Sequence, residues 1–223
     1  MSIKALLFDI DGTLVDSNDQ HVLAWEEAFA TVGARFDRQR LHDQIGKGTD
    51  KLVPALLPDL SEEEQKKLGE THGEIFKTRF LRDIKPFPDA HDLLARARAS
   101  GFRLALASSA SREELDHYLG LLHAHDMIEA STGKEDVKET KPAPDIFTTA
   151  LANLSGVRAQ DAFVVGDTPY DMEAAHTCGI PALALRSGKF PDDALKQAGA
   201  VEIYDDVAAL LSDYDRSPLG LGV

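Results

Sequence analysis

The sequence predicts an α/β fold, with a doubly wound, Rossmann-like parallel sheet and a small α-helical domain inserted after the first strand. Three observations carry this. Short apolar runs recur along the chain, as expected of strands buried on both faces. Between them lie stretches with apolar residues at helical spacing, so strand and helix alternate over residues 84–212. Residues 17–82 break that alternation and hold no strand pattern.

The first apolar run covers residues 5–10, and later ones cover 103–108, 162–167 and 181–185, with a weaker one at 201–204. Helical spacing marks 89–99, closed by Gly101, then 145–154 and 171–177, the last stopped by Gly179. Ser111-Arg112-Glu113-Glu114 reads as a capping box opening another helix. Inside the insert, 22–32 is amphipathic and Ser61-Glu62-Glu63-Glu64 is a second capping box. Gly46-Lys47-Gly48-Thr49-Asp50 is a glycine-bearing loop between insert helices. The expected organisation is a core of residues 1–16 and 83–212, a helical cap of 17–82, and a tail of 213–223 that frays around Pro218, Gly220 and Gly222. Trp25 is expected in the cap core and Cys178 buried and inert.

With 223 residues, 43% hydrophobic and 28% charged, the chain can bury a substantial core. Its 24 Lys and Arg face 38 Asp and Glu, a net charge of −14. Such a surface repels nucleic-acid backbones and anionic membranes, so neither is an expected partner. A small anionic substrate stays compatible, because a local site can be positive. A single cysteine excludes an intrachain disulfide and makes the cytoplasm the expected compartment. The apolar start is cut by Asp9 and Asp11, so no signal peptide is expected, and no run reaches membrane-spanning length.

The chemistry-bearing residues gather at strand ends. In Phe8-Asp9-Ile10-Asp11-Gly12-Thr13-Leu14, Asp9 and Asp11 are spaced to share one side of a strand, and two close carboxylates repel without a cation or shared proton. Asp167 ends another buried run, with Asp171 four residues on. Ligands of an open parallel sheet bind outside the carboxyl ends of its strands, so these acids converge on one crevice. Three oxygen donors with water suit a hard cation such as Mg2+. Asp171 reads either as part of that site or as an acid favoured at a helix N-terminus. Ser108 and Ser109 stand where a strand meets a helix, a place that suits phosphate and equally suits a helix cap. Lys141, ahead of Pro142, can neutralise a phosphate or a carboxylate if it lies near the acids, and is otherwise a surface lysine.

Taken together, Asp9-Ile-Asp11-Gly-Thr-Leu-Val-Asp16-Ser17, Ala107-Ser108-Ser109, Lys141-Pro142 and Gly166-Asp167-Thr-Pro-Tyr-Asp171 resemble the four motifs of the haloacid dehalogenase superfamily, in order. The resemblance is to its phosphatase branch, near the β-phosphoglucomutase and phosphoglycolate phosphatase subgroup, and covers residues 5–210. It implies a Mg2+-dependent phosphatase acting on a small phosphorylated metabolite. Asp9 is then the nucleophile and forms an aspartyl-phosphate, while Asp11 is the general acid and base, with a raised pKa. The resemblance also implies Mg2+ ligation by Asp9, Asp167 and the main-chain carbonyl of Asp11, with Asp171 at the same site. Ser108 and Lys141 hold phosphate oxygens. Gly12, Thr13, Ser109, His21, Lys47 and Thr49 are the implied substrate-side residues. A monomer is implied as well.

Asp11 speaks against carbon–halogen cleavage, which lacks that second aspartate in the family. For phosphonate cleavage, Lys47, Lys51 and Lys77 are candidate imine-forming lysines, with nothing to single one out. A sugar-phosphate mutase is the alternative. Against it, Asp50 occupies about the place of a phosphate-binding arginine in the mutase pattern, and Gly166 precedes Asp167 where that pattern tends to have Glu.

Overall fold

The computed structural model describes residues 3–221. The strands are β1 (Ala5–Phe8), β2 (Val15–Asp16), β3 (Lys85–Pro86), β4 (Arg103–Ala107), β5 (Ile128–Thr132), β6 (Ala162–Gly166), β7 (Ala182–Leu185) and β8 (Ala200–Tyr204). Six of them form one parallel sheet in the order β5-β4-β1-β6-β7-β8. β1 pairs Ala5–Phe8 with residues 103–106 on one side and 162–165 on the other. It is central and wholly buried, which is why its sequence is a continuous apolar run.

The helices are α1 (Asn18–Thr31), α2 (Arg38–His42), α3 (Thr49–Leu56), α4 (Glu62–Arg79), α5 (Ala90–Ala99), α6 (Arg112–Leu121), α7 (Asp145–Asn153), α8 (Pro169–Thr177), α9 (Asp192–Gln197), α10 (Val207–Ser212) and α11 (Pro218–Leu221). Strand alternation splits β1 between two apolar layers. Leu6 and Phe8 face Leu93, Tyr118 and Leu210 from α5, α6 and α10. Ala5 and Leu7 face Phe147, Met172 and Leu195 from α7, α8 and α9. Chain order reverses on either side of β1, so the crevice lies at the carboxyl ends of β1, β4 and β6.

β5 is the strand the periodicity overlooks. As an edge strand it leaves Ile128 to Ser131 incompletely buried, so its sequence carries Glu129 and Ser131 instead of an apolar run. Residues of α1 to α4 pack round an apolar centre of their own that includes Trp25, Phe29, Leu52 and Leu68. The chain enters this region after β2 and leaves it before β3, and those strands pair antiparallel, Val15 with Pro86 and Asp16 with Lys85. Both predicted capping boxes form, at Ser61 and Ser111.

Two expectations need correction. The tail does not fray at its start: Tyr214, Ser217 and Leu219 are buried, and the two apolar residues extend the layer holding α5 and α10. Apolar anchoring there outweighs the flexibility that Pro218 and Gly220 suggested; Gly222 and Val223 lie outside the described residues. Cys178 is half-buried, with its thiol pKa pushed up by burial. Among the described residues, no helix is long and apolar enough to cross a membrane.

Candidate active site

Asp9 follows β1 and Asp167 follows β6, and because these strands are neighbours the two carboxylates are brought side by side. The Asp9 N–H extends the ladder by donating to Val165 O at 2.9 Å. Asp171, in the first turn of α8, completes a buried group in which each side chain offers an oxygen within 4.8 Å of the others. Two glycines make room for this. Gly12 has φ +75°, and a Cβ there would stand 2.1 Å from Asp167 Oδ2. A Cβ on Gly166 would meet the Asp171 side chain at 2.6 Å.

Asp171 is at once a first-turn acid of α8 and a member of the buried acid group. Its Oδ2 accepts the Thr168 N–H at 3.0 Å and the Thr168 hydroxyl at 2.7 Å, closing a capping box, while Oδ1 lies 2.7 Å from Lys141 Nζ. Lys141 also donates to Asp9 Oδ1 at 2.6 Å and is 1% exposed. One ammonium thus pairs with two of the three buried carboxylates. Burial pushes the Asp9 carboxyl up to about 7 against the pull of Lys141, with Asp171 adding repulsion. Burial and the charges of Asp171 and Asp9 push Asp167 well above the carboxylate range, although Asn18 and Thr13 hydrogen-bond to it. Burial would lower Lys141, but Asp171 and Asp9 outweigh it and hold the ammonium charged. The unbalanced negative charge and the all-oxygen donor set fit a hard divalent cation such as Mg2+.

Asp11 is arranged differently. Its Oδ1 accepts from Ser17 Oγ at 2.6 Å and Tyr118 OH at 2.9 Å, with His21 Nε2 at 3.2 Å. Burial would raise its pKa, but His21 and the hydroxyl donors bring it below the usual value. The raised pKa expected from crowding is therefore absent: donors surround this carboxylate. Its side chain also stands outside the three-acid group, leaving the main-chain carbonyl as what it can offer a metal.

A cavity of about 70 Å³ lies over these acids, with Asp9, Asp11, Ser108 and Ser109 on the core side and His21, Lys47 and Thr49 on the other. The Ser108 hydroxyl accepts the Ala110 N–H at 3.1 Å, and the Ser109 hydroxyl donates to Gly46 O at 3.2 Å. Lys47 Nζ donates to Gln44 at 2.7 Å and rides 4.4 Å over the Tyr170 ring. Lys51 and Lys77 pair instead with Glu139 and Glu113. Gly12 and Thr13 do not line the cavity. The Gly12 N–H is used by Val15 O, and the Thr13 hydroxyl donates to Asp167 Oδ1 at 2.9 Å, so both shape the acid site from below.

Sequence reasoning missed four contributors. Asn18 donates to Asp167 Oδ2 at 2.9 Å, and Ser17 holds Asp11; Ser17 closes the first motif and Asn18 follows it, and their polar side chains at a helix start were the available signal. Tyr118, remote in sequence, gave none. His72, on α4, stacks on Trp25 at 4.0 Å and places Nε2 3.4 Å from His21 Nδ1. Burial and the neighbouring charges of His21 and Lys134 drive its pKa well down, so it is neutral.

Residues 6–185 match the haloacid dehalogenase-like hydrolase family. The phosphoglycolate phosphatase of Aquifex aeolicus is 30% identical over 189 residues, 82% of this chain and 85% of that one. The fructose-1-phosphate phosphatase YqaB of Escherichia coli is 28% identical over 188 residues, 81% of this chain and 95% of that one. A hydrolase from Pseudomonas syringae superposes with a TM-score of 0.89 at 29% identity, covering 96% of this chain and 98% of its own. The acid cluster at the carboxyl ends of β1 and β6 is thus set in a chain that belongs to the haloacid dehalogenase-like hydrolases.

Proposed function

We propose that this protein is a Mg2+-dependent phosphatase that hydrolyses a small phosphate monoester through an aspartyl-phosphate on Asp9. The carrying observation is the buried group of Asp9, Asp167, Asp171 and Lys141 beside a small cavity that Asp9 and Asp11 line. The phosphatase names of the relatives agree with it.

Asp9, Asp167 and the Asp11 carbonyl would hold Mg2+, with Asp171 beside them. Bound there, the ion supplies positive charge between an anionic nucleophile and an anionic phosphate. The Asp9 carboxylate attacks phosphorus as the ester P–O bond breaks; Asp11, driven to take up a proton by the negative charge of the phosphate bound beside it, delivers that proton to the leaving oxygen. Asp11 then takes a proton from water, the resulting oxygen attacks phosphorus, and the acyl-phosphate P–O bond breaks to free Asp9. Ser108 and Lys141 hold phosphate oxygens through both steps. His21 holds Asp11 from the cap side, so the acid/base group is fully positioned only with the cap in place. The paired β2 and β3 are the natural hinge for a cap of residues 17–82, which excludes water when shut. A cytoplasmic setting agrees with the single cysteine.

Hydrolysis is favoured over the mutase alternative because Asp50, an acid in the first turn of α3, gives no grip on a second phosphate. The test is phosphate release from a panel of metabolite phosphates, with Mg2+ and with chelator, beside Asp9→Asn. Mg2+-dependent release of one phosphate per ester consumed, lost in the variant, is expected. Full activity in Asp9→Asn overturns the reading, and substoichiometric phosphate turns it to the mutase.

A further inference from the structure

Asp50 is spent on the core. Its Oδ2 accepts the Thr140 N–H at 3.1 Å, and its Oδ1 accepts the Thr140 hydroxyl. That same hydroxyl accepts the Gly48 N–H at 2.9 Å, so Thr140 is gripped at three points by the loop that opens α3. The fit is close. Thr140 is buried, and a Cβ on Gly48 would stand 2.5 Å from its hydroxyl oxygen. Next to it, Lys51 meets Glu139 at 2.9 Å, an exposed pair that adds little by itself. The grip is of the stronger kind, with one carboxylate taking two donors from one residue.

Thr140 immediately precedes Lys141, whose ammonium lies between Asp9 and Asp171. Lys141 itself takes no hold on the cap among the described residues. Its main chain is instead held through Thr140 by cap residues 48 and 50. A helix-capping role for Asp50 is a poorer account: it lies in the first turn of α3, but both its oxygens turn to Thr140 and neither takes an N–H of its own helix.

We propose that Asp50 is a positioning residue. By gripping Thr140 when the cap shuts, it sets the backbone of Lys141, so cap closure and the registration of the phosphate-holding lysine are one event. Closure at this point then does not depend on a substrate contact to Asp50.

The kinetic side of this rests on the phosphatase reading, whereas the mechanical side does not. The experiment therefore has two arms on the full chain: hydrogen–deuterium exchange, and steady-state phosphate release with Mg2+. The variants are Asp50→Ala, Asp50→Asn, Thr140→Val and the Asp50→Ala/Thr140→Val double. In Asp50→Ala, exchange is expected to rise together in residues 46–52 and 137–142 and to stay as in the parent protein in β1 and β6. Release is expected to lose about tenfold to a hundredfold in kcat, with KM changed less. Asparagine keeps an acceptor for Thr140, so Asp50→Asn is expected within about threefold of the parent protein. The double variant is expected to be no worse than the weaker single one, because both remove the same grip.

Exchange that rises in 46–52 with 137–142 unchanged overturns the proposal, as does kcat for Asp50→Ala within about twofold of the parent. If Asp50→Ala does not fold, Thr140→Val, which keeps side-chain volume, decides it by the same paired exchange, with Asp50→Asn as the variant expected to exchange like the parent. If the parent protein releases phosphate from no ester, the phosphatase reading fails while the exchange arm still decides whether the two segments move together.

Discussion

The floor of the site and its roof are built by opposite means. On the floor, Asp9, Asp167, Asp171 and Lys141 are almost wholly buried, and each is fixed by partners from a different element. On the roof, His21, Lys47 and Thr49 come from helices and a loop, and their side chains are only partly covered. The floor concentrates charge that the fold must tolerate, and Asp9 and Asp167 are both pushed toward the protonated form by burial first. The roof brings the Lys47 ammonium to the cavity and meets the core by polar contacts such as Ser109 to Gly46 and Gly48 to Thr140. The lesson is a division of labour: rigid buried charge for the reaction, and a partly exposed polar wall for admission.

The sharpest break of that comparison is Asp9→Asn. Amide nitrogen and oxygen cannot form the acyl-phosphate, so kcat is expected to fall by about a thousandfold or more. Thermal melting of the metal-free variant is expected to stay near the parent or rise, since one of three crowded carboxylates has gone. Phosphate-release kinetics and a melt on the same sample check both halves. Retention of a tenth of the activity would move the chemistry off the floor.

The next effect is the response to Mg2+. Asp9 goes from 3.8 to about 7 on folding, so between those values the folded chain binds more protons than the unfolded one. Its contribution to metal-free stability is present below about pH 4 and is lost as pH rises through about 7. Mg2+ needs the deprotonated form, so its stabilisation grows across the same window. At a hundred times its dissociation constant the ion stabilises by about 2.7 kcal/mol, a rise of roughly 5–10 °C in Tm. Melts with Mg2+ and with chelator are expected to differ more at pH 8 than at pH 5. Asp167→Asn is expected to erase the difference while raising the metal-free Tm, because the Thr13 hydroxyl can turn to accept from the new amide. An equal Mg2+ shift at both pH values would mean the cluster is not the ion's site.

The same division explains what could be read without the structure. Buried parallel strands announce themselves by apolar runs, and acids at their ends stand out against that background, so Asp9, Asp167 and the strands that carry them were legible. Asp171 and Lys141 were legible as candidates only. Their joint hold on the cluster depends on a capping box at Thr168 and on a loop whose path no local pattern states. Tyr118 was illegible, because an aromatic at helical spacing reads as core, and here it is buried with its hydroxyl on Asp11. β5 was illegible because an edge strand has no reason to be apolar on both faces. The raised pKa expected for Asp11 failed because the spacing of two acids says nothing of which donors a helix start and a distant tyrosine bring to them.

His21 is where roof and floor meet. It reaches Asp11 at 3.2 Å, stacks on Phe76 at 3.8 Å and touches the neutral His72. His21→Ala leaves Asp11 with its two hydroxyl donors, so the expected loss is about tenfold to fiftyfold in kcat, well short of Asp9→Asn. His21→Asn, which can still donate to Asp11, is expected to recover part of it. If His21→Ala instead raises KM with kcat intact, the residue belongs to admission and the roof has no share in the chemistry.

The smallest expected effect tests whether the roof's order matters beyond the residues that face the cavity. Ser61 caps α4, accepting the Glu64 N–H while Glu64 Oε2 accepts the Ser61 N–H at 2.9 Å, and it is fully on the surface. α4 needs the help: it runs 18 residues with Gly69 and Gly73 inside it and buries only Leu68 and Phe76. It also carries His72 and Gly73 to the cavity wall. Ser61→Ala is expected to cost about 1 kcal/mol, a drop of about 2–4 °C in Tm for a chain of this size. The kcat/KM is expected to hold within about twofold, because the packing of Leu68 and Phe76 fixes the part of the helix that meets the site. A melt and a single rate measurement suffice. A fall in kcat/KM larger than the stability loss would mean that fraying at a distant cap reaches the cavity, and that the roof works as a jointly ordered body instead of a wall of separately placed side chains.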